Sequence, residues 1–362
     1  MYHRSKSHHQ AERERENSAD MKAIPASVAE LNECLSEPDE GVNAAVEQMP
    51  GDFIVLGAGG KTGFHVCRML QRSLQSLGRP DQVIAVSRFS DPAIRSQFDQ
   101  AGFDVRQADL TDSVQLTELP DVNNVFYLAG IKFGTRGRSD FLHRFNVEMP
   151  RRVAERYRDS RIVALSTACV YSFVDSRSEG AREDEPTDSP GEYAQSCVGR
   201  EQAFVGAAVQ WGTRSSLIRL SYSIDLRYGV LVDIAEKVLA GSPIDVAMGC
   251  ANVIWQRDAV SHIIQALLQS SAPPCVLNVT GPEILRIREV AEAFGGKFHR
   301  KVMFTGSEAD TAWLSNPDKA HRLFGTPKTS IEQMINWTAE WLQRGGETLA
   351  KPTHFETRDG NY

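Results

Sequence analysis

Gly57-Ala-Gly-Gly60-Lys61-Thr62-Gly63 is the stretch of this chain whose residue types and spacing most directly imply chemistry. It follows the apolar run Phe53–Leu56 and opens a helix-like stretch, the setting in which a glycine loop carries meaning. The first glycine permits a tight turn, the second lets the backbone approach a pyrophosphate, and the third lets helix and strand pack closely. The free N–H groups of the helix start hold the negative charge. The chemistry implied is the binding of a nicotinamide dinucleotide. A Walker loop is the rival, because Gly60-Lys61-Thr62 looks like its end, but that loop needs a glycine where Val55 stands.

The nucleotide variant is read at the end of the second strand. NAD sites place a carboxylate there for the ribose 2′-hydroxyl, whereas this chain has Ser87-Arg88. Arg88 can pair with a 2′-phosphate, and Lys61 would add charge, so NADP is preferred with NAD possible. A plain alternative is a surface arginine stacked on the adenine. Asp109-Leu110 is placed to meet the adenine edge, although a loop or capping aspartate explains it almost as well.

A glycine loop of this kind needs a strand before it and a helix after it, and the chain supplies both repeatedly. Strands are expected at Phe53–Leu56, Val83–Val86, Phe103–Val105, Val125–Leu128, Ile162–Leu165 and Ser216–Leu220. Helices fall at Lys61–Leu77, from Asp91-Pro92 to Gly102, and near 139–158 and 190–208. Strands separated by helix-sized segments imply an α/β fold: a doubly wound parallel sheet (Rossmann) with a smaller C-terminal α/β substrate lobe. In that lobe helices are expected near 230–240, 258–269, 286–294 and 331–343. The division reads as a disordered leader (1–25), a short helical extension outside the main domain (26–50), the dinucleotide-binding domain (51–221), mainly a substrate lobe (222–345) and a tail (346–362). Ser27-Val-Ala-Glu30 has capping-box spacing at the head of the extension, and Met21 is a second candidate start.

The 362 residues are 41% hydrophobic and 24% charged, with a formal net charge of −7. That gives no bulk electrostatic support for nucleic acid or an anionic membrane as partner. No apolar run approaches the ~18–20 residues needed to span a bilayer, and no secretory segment follows Met1. The six cysteines are scattered without a CxxC pair, the pattern of reduced thiols in a cytoplasmic protein. No metal site is expected; His354-Phe-Glu356 lacks partners at ligand spacing.

Further motifs carry a resemblance. Val125-Phe-Tyr-Leu-Ala129-Gly130-Ile131-Lys132, Asn146, Ser166-Thr167-Ala168-Cys169-Val170-Tyr171, Pro190-Gly-Glu-Tyr193-Ala-Gln-Ser-Cys197, Arg219 and Asn278-Val-Thr-Gly281 follow the glycine loop in order. Over about residues 52–345 the chain resembles the extended short-chain dehydrogenase/reductases, the NAD-dependent epimerase/dehydratase family. The resemblance implies that Ala129, Gly130 and Asn146 lie at the cofactor. It also implies that Tyr193 is the general acid/base, that Thr167 hydrogen-bonds the same substrate oxygen, and that the chain pairs as a homodimer through the helices near 139–158 and 190–208.

Two departures bear on the chemistry. The family's lysine, one helical turn after the tyrosine, supplies charge and holds the nicotinamide ribose; here Cys197 occupies its place. A tyrosine with an ordinary pKa near ~10 needs positive charge nearby, and losing one costs a few kcal/mol, roughly two powers of ten in rate. Lys132 replaces that cation, or the oxidised nicotinamide suffices, or the chain is a catalytically silent NADP-binding regulatory or assembly protein. Cys197 as a nucleophile has no base adjacent in sequence. Second, family residues that grip a nucleotide-sugar pyrophosphate fall on Tyr222 and Ala251, which makes a UDP-sugar an unsuitable substrate. Arg227 and Tyr228 are left, with Tyr222, as candidates to hold a smaller carbohydrate-like hydroxyl or keto compound.

Overall fold

The computed structural model describes residues 24–131, 139–188 and 190–358. Two helices precede the first strand, α1 (Val28–Leu35) and α2 (Glu40–Glu47). Ser27 Oγ accepts from the Glu30 amide at 3.2 Å and Glu30 Oε2 accepts from the Ala26 amide at 2.8 Å, while Asp39 caps α2. The two helices, read in sequence as an extension outside the main domain, pack into different cores. Leu31 and Leu35 of α1 sit in the core of the C-terminal lobe, and Val42, Val46 and Met49 sit in the core under the main sheet. Their helical spacing gives each helix one apolar stripe that must be buried.

The main domain then alternates: β1 (Phe53–Leu56), α3 (Gly63–Ser76), β2 (Val83–Ser87), α4 (Pro92–Gln100), β3 (Asp104–Gln107), α5 (Ser113–Glu118) and β4 (Asn124–Tyr127). It continues through α6 (Ser139–His143), a π-helical turn (Arg144–Glu148), α7 (Met149–Arg156), β5 (Arg161–Thr167), the short β6 (Val174–Asp175), α8 (Glu192–Trp211) and β7 (Arg214–Leu220). β1 and β4 are buried at every residue, as strands covered on both faces must be. Asp91 caps α4 with Pro92 in its first turn, the predicted start.

After β7 come β8 (Ser223–Ile224), α9 (Val230–Ala240), β9 (Ile244–Asp245), β10 (Cys250–Ala251), β11 (Ile254–Trp255), α10 (Gln256–Gln265) and β12 (Cys275–Val279). The lobe closes with β13 (Leu285–Arg286), α11 (Ile287–Phe298), β14 (Phe304–Thr305), β15 (Thr311–Ala312), α12 (Asp318–Phe324) and α13 (Ile331–Gln343). The seven-stranded sheet runs β12-β7-β5-β4-β1-β2-β3, with every pairing parallel. The strand order reverses at β1, where β2 lies on one side and β4 on the other. The crevice beyond the carboxyl ends of β1 and β4 is therefore the place a doubly wound sheet offers a ligand.

A second core gathers Leu231 and Ile234 of α9, Phe294 of α11 and Trp341 of α13. The tail belongs to it: Phe355 is fully buried, and the Thr353 amide and hydroxyl both donate to Asp233 Oδ2. α12, absent from the sequence reading, is a short and mostly polar helix whose Ala320 alone is buried. The six cysteines are free thiols. Among the described residues no helix is long and apolar enough to cross a membrane, and no group of three His, Cys, Asp or Glu is gathered as a metal site.

Candidate active site

Two cavities lie along the crevice. The first, of about 250 Å³, is lined by Gly57, Gly60, Arg88, Asp109, Leu110, Ala129 and Gly130, all of them predicted cofactor residues, together with Phe145 and Met149. The loop geometry explains its glycines. Gly57 has φ +91°, and a Cβ there would stand 2.6 Å from the Ala129 amide nitrogen. At Gly63 a Cβ would meet Ala58 O at 2.2 Å, so helix and strand can pack this closely only without one. Thr62 makes no side-chain cap on α3, and the Gly63 amide donates to Gly60 O at 3.1 Å, so the amides that follow it in the first turn are left to a ligand. The cradle fits a dinucleotide phosphate.

Arg88 is exposed at this rim, its guanidinium 5.5 Å from the Phe145 ring centre. Asp109 closes a turn of its own: Oδ1 accepts from the Thr111 amide at 2.9 Å and hydroxyl at 2.8 Å. Asp91 also borders the cavity, and its carboxylate accepts from the Ala93 amide.

The second cavity, of about 210 Å³, brings Thr167 and Tyr193 together with Thr62, Tyr222, Tyr228 and Lys61. Thr167 ends β5, and its Oγ1 accepts from the Cys169 amide at 3.2 Å. Tyr193, one residue into α8, shares a hydrogen bond with Cys197 one turn on. Burial pushes the Tyr193 hydroxyl well above the usual tyrosine range, and a nearby Cys197 thiolate would push the same way, while Arg200 opposes both. Burial likewise holds Cys197 in its neutral thiol form, an inert core group. Tyr222 holds a positive φ of 34°, rare for a bulky residue and a form of strain concentrated at binding sites.

Lys61 departs from its expected place. Its Nζ donates to Ser223 O at 2.8 Å, lies 3.8 Å from Asp225 and sits 4.2 Å over the Tyr228 ring. Its charge therefore serves the second cavity and not the neighbourhood of Arg88. Burial lowers its pKa to about 8, against the pull of Asp225.

Two further predicted residues have their side chains engaged by the protein itself. Asn146 does not face the cofactor cavity. It is fully buried, Oδ1 accepts from the Ile131 amide and Arg200, and Nδ2 donates to Ile131 O and Ser196. With every hydrogen-bonding position taken inside the protein, it holds the chain after β4 against α8. Arg227 is not among the residues lining the second cavity, and its Nη2 donates to Asn32 Oδ1 of α1 at 3.3 Å. Lys132 lies outside the described residues.

Sequence reasoning missed Arg200 and Trp313. Trp313 comes from the loop after β15 to wall the second cavity, and no local pattern announces it. Arg200 had a signal, since it falls seven residues after Tyr193 on the same helix face.

Residues 53–224 match the model of the NAD dependent epimerase/dehydratase family. The match covers the dinucleotide-binding part of the chain. No curated protein matches the chain in sequence. Among solved structures it is similar to a dTDP-glucose 4,6-dehydratase double mutant from Streptomyces venezuelae with NAD bound, at 18% identity over 81% of this chain and 98% of that one, TM-score 0.68. A UDP-galactose 4-epimerase is 21% identical over 81% and 99%, TM-score 0.64. The UDP-N-acetylglucosamine 4-epimerase from Bacillus cereus is 18% identical over 81% and 100%, TM-score 0.63. These likenesses are of fold, and they extend through most of the chain.

Proposed function

We propose that this chain is an NADP-preferring oxidoreductase of the epimerase/dehydratase type, acting on a hydroxyl or keto carbon of a small carbohydrate-like substrate. The observation that carries it is the meeting of Tyr193 and Thr167 in a cavity one end of which is the glycine loop. The Gly57–Gly63 loop would hold the pyrophosphate, Arg88 the 2′-phosphate, and Leu110 and Ala129 the adenosine half. When bound, the nicotinamide supplies the acceptor or donor of hydride. Tyr193 gives or takes the proton at the substrate oxygen, and the Thr167 hydroxyl holds that oxygen in place. Lys61 and the Tyr222 and Tyr228 hydroxyls meet the remaining polar groups, and Trp313 walls off water.

The lining argues against a nucleotide sugar. Tyr222 stands where the family places an asparagine, and Ala251 is buried in β10 where an arginine was expected. The reaction is tested by following the reduced-cofactor absorbance over a panel of small polyols, aldonic acids and UDP-sugars. Turnover of a small substrate, lost by about two to four powers of ten in Tyr193→Phe, is expected. Full turnover by Tyr193→Phe, or turnover of UDP-sugars alone, would refute the assignment.

The same reading extends to pairing. Val205 and Val209 stand one turn apart on α8, 44% and 84% exposed, an apolar face suited to a second copy of the chain. Light scattering should give a dimer that Val209→Glu dissociates; a monomeric wild type ends this part of the reading.

A further inference from the structure

α8 carries a second feature on the face that holds the tyrosine. Tyr193, Cys197 and Arg200 stand at i, i+4 and i+7, on one side of the helix. Arg200 is only 6% exposed, and its guanidinium crosses to the wall of the crevice. Nη1 donates to Leu165 O at 2.9 Å, two residues before Thr167, and Nη2 donates to Asn146 Oδ1 at 2.6 Å. The buried Nε has no hydrogen-bond partner. Among the described residues Arg200 makes no ion pair, because its neighbour Glu201 is committed to Arg219 at 2.8 Å.

The surroundings are shaped for this charge. A Cβ at Gly130 would lie 2.3 Å from Nη2, so the glycine after β4 makes room for the guanidinium. The Asn146 amide is itself fixed by Ile131 and Ser196, which aims its oxygen at the arginine. A buried cation without a paired carboxylate costs several kcal/mol, and an anion forming nearby would offset part of that cost. The titratable groups facing the guanidinium are Tyr127 from β4 and Tyr193, Cys197 and Glu201 from its own helix, with Cys169 facing Tyr193 from beyond β5. Tyr127 and Cys197 are wholly buried and Glu201 is paired. Tyr193 alone among those facing Arg200 opens onto a cavity where a proton can leave.

The geometry points to Arg200 as the fixed positive charge that stabilises the Tyr193 phenolate, taking over on the next turn of α8 the electrostatic work of a cation that Cys197 cannot do. Arg200 acts through Tyr193 and is a positioning residue; the inference rests on Tyr193 being the proton-transferring group. In that step the Tyr193 O–H bond breaks, the proton passes to the substrate oxygen, and the electron pair stays on the phenolate beside the guanidinium. The reverse step returns the proton. Burial opposes the charged form of Tyr193, which is why a charge fixed in the same dry wall matters more than one in water.

The test follows the near-ultraviolet tyrosinate band against pH in the intact protein loaded with oxidised cofactor. The Tyr193 component is isolated by subtracting Tyr193→Phe. In Arg200→Gln that component should move up by about one pH unit or more, a tenfold change in the ionisation constant. Arg200→Lys, which keeps the charge, should leave it near the wild-type position. So should the double variant Cys197→Lys, Arg200→Gln, which moves the cation back one turn. A folded Arg200→Gln protein with the Tyr193 component unmoved overturns the inference. If Arg200→Gln does not fold, the double variant decides: an unmoved component supports the assignment, and one displaced upward by a unit overturns it. No substrate is needed, so a failed substrate screen and a failed inference are told apart.

Discussion

Glu201 and Arg219 form an ion pair of 2.8 Å with both side chains almost wholly removed from solvent. Glu201 Oε1 also accepts from the Ser166 hydroxyl at 2.6 Å, and Arg219 donates to the Tyr171 hydroxyl at 2.7 Å. Glu201 thus ties α8, which carries Tyr193, to β7 through Arg219 and to the end of β5, which carries Thr167, through Ser166. Glu201→Ala leaves Arg219 as a buried unpaired cation and should cost about 3–5 kcal/mol. The urea midpoint measures this; a loss under about 1 kcal/mol would show that the pair is not needed to hold these elements together.

Arg88 and Gly57 test the cofactor assignment separately. Arg88→Ala should weaken NADP binding about tenfold and leave NAD nearly unchanged, since only the 2′-phosphate needs its charge. Gly57→Ala should weaken both, because the new Cβ would strike the Ala129 amide and the residue holds φ +91°. Calorimetric titration of each nucleotide reads both effects. Tighter NAD than NADP binding in the wild type would reverse the nucleotide preference.

Lys61 gives the second cavity a pH dependence. With its pKa lowered to about 8 by burial, it is charged below that pH and neutral above it. Affinity for a small aldonate should therefore fall as pH rises through about 8, and Lys61→Met should flatten the curve at the weaker level. An unchanged curve in Lys61→Met would remove Lys61 from ligand binding.

Acid stability should follow two buried histidines. Burial lowers His65 and His262 from 6.5 to about 4. His65 is held between Asn32 Oδ1 at 3.1 Å and Gln256 Nε2 at 2.7 Å, an arrangement complete with one ring proton. Between pH 4 and 6.5 the unfolded chain binds more protons than the folded one, so stability is lost as pH falls through that window. Each histidine contributes at most about 3 kcal/mol to that loss. His65→Gln and His262→Gln should each flatten the fall in urea midpoint between pH 7 and 5; parallel profiles would show that neither group is responsible.

The local features were legible in the sequence. The strands before and after the glycine loop, the Asp91 cap on α4 and the Ser27–Glu30 capping pair follow from near-neighbour spacing, which fixes the hydrogen bonds a short segment can make. The Gly57, Gly60, Gly63 pattern, Arg88 and the ordered motifs through Tyr193 were readable for the same reason. The placement of Asn146 was not, because its four hydrogen bonds go to three residues in two distant segments, the chain after β4 and α8. Nor was the direction of Lys61: one loop position serves either cavity, and Ser223, Asp225 and Tyr228 decide which. The helices before β1 gave their caps and stripes in sequence, but nothing local told which cores would cover those stripes.

The sequence by itself determined a doubly wound α/β domain with a dinucleotide loop and a tyrosine beside a missing lysine, since these rest on periodicity and spacing along one chain. Only the tertiary structure decided where positive charge stands around that tyrosine. Charge acts through space and burial, and Arg200 meets Leu165 and Asn146 across 35 and 54 residues of chain.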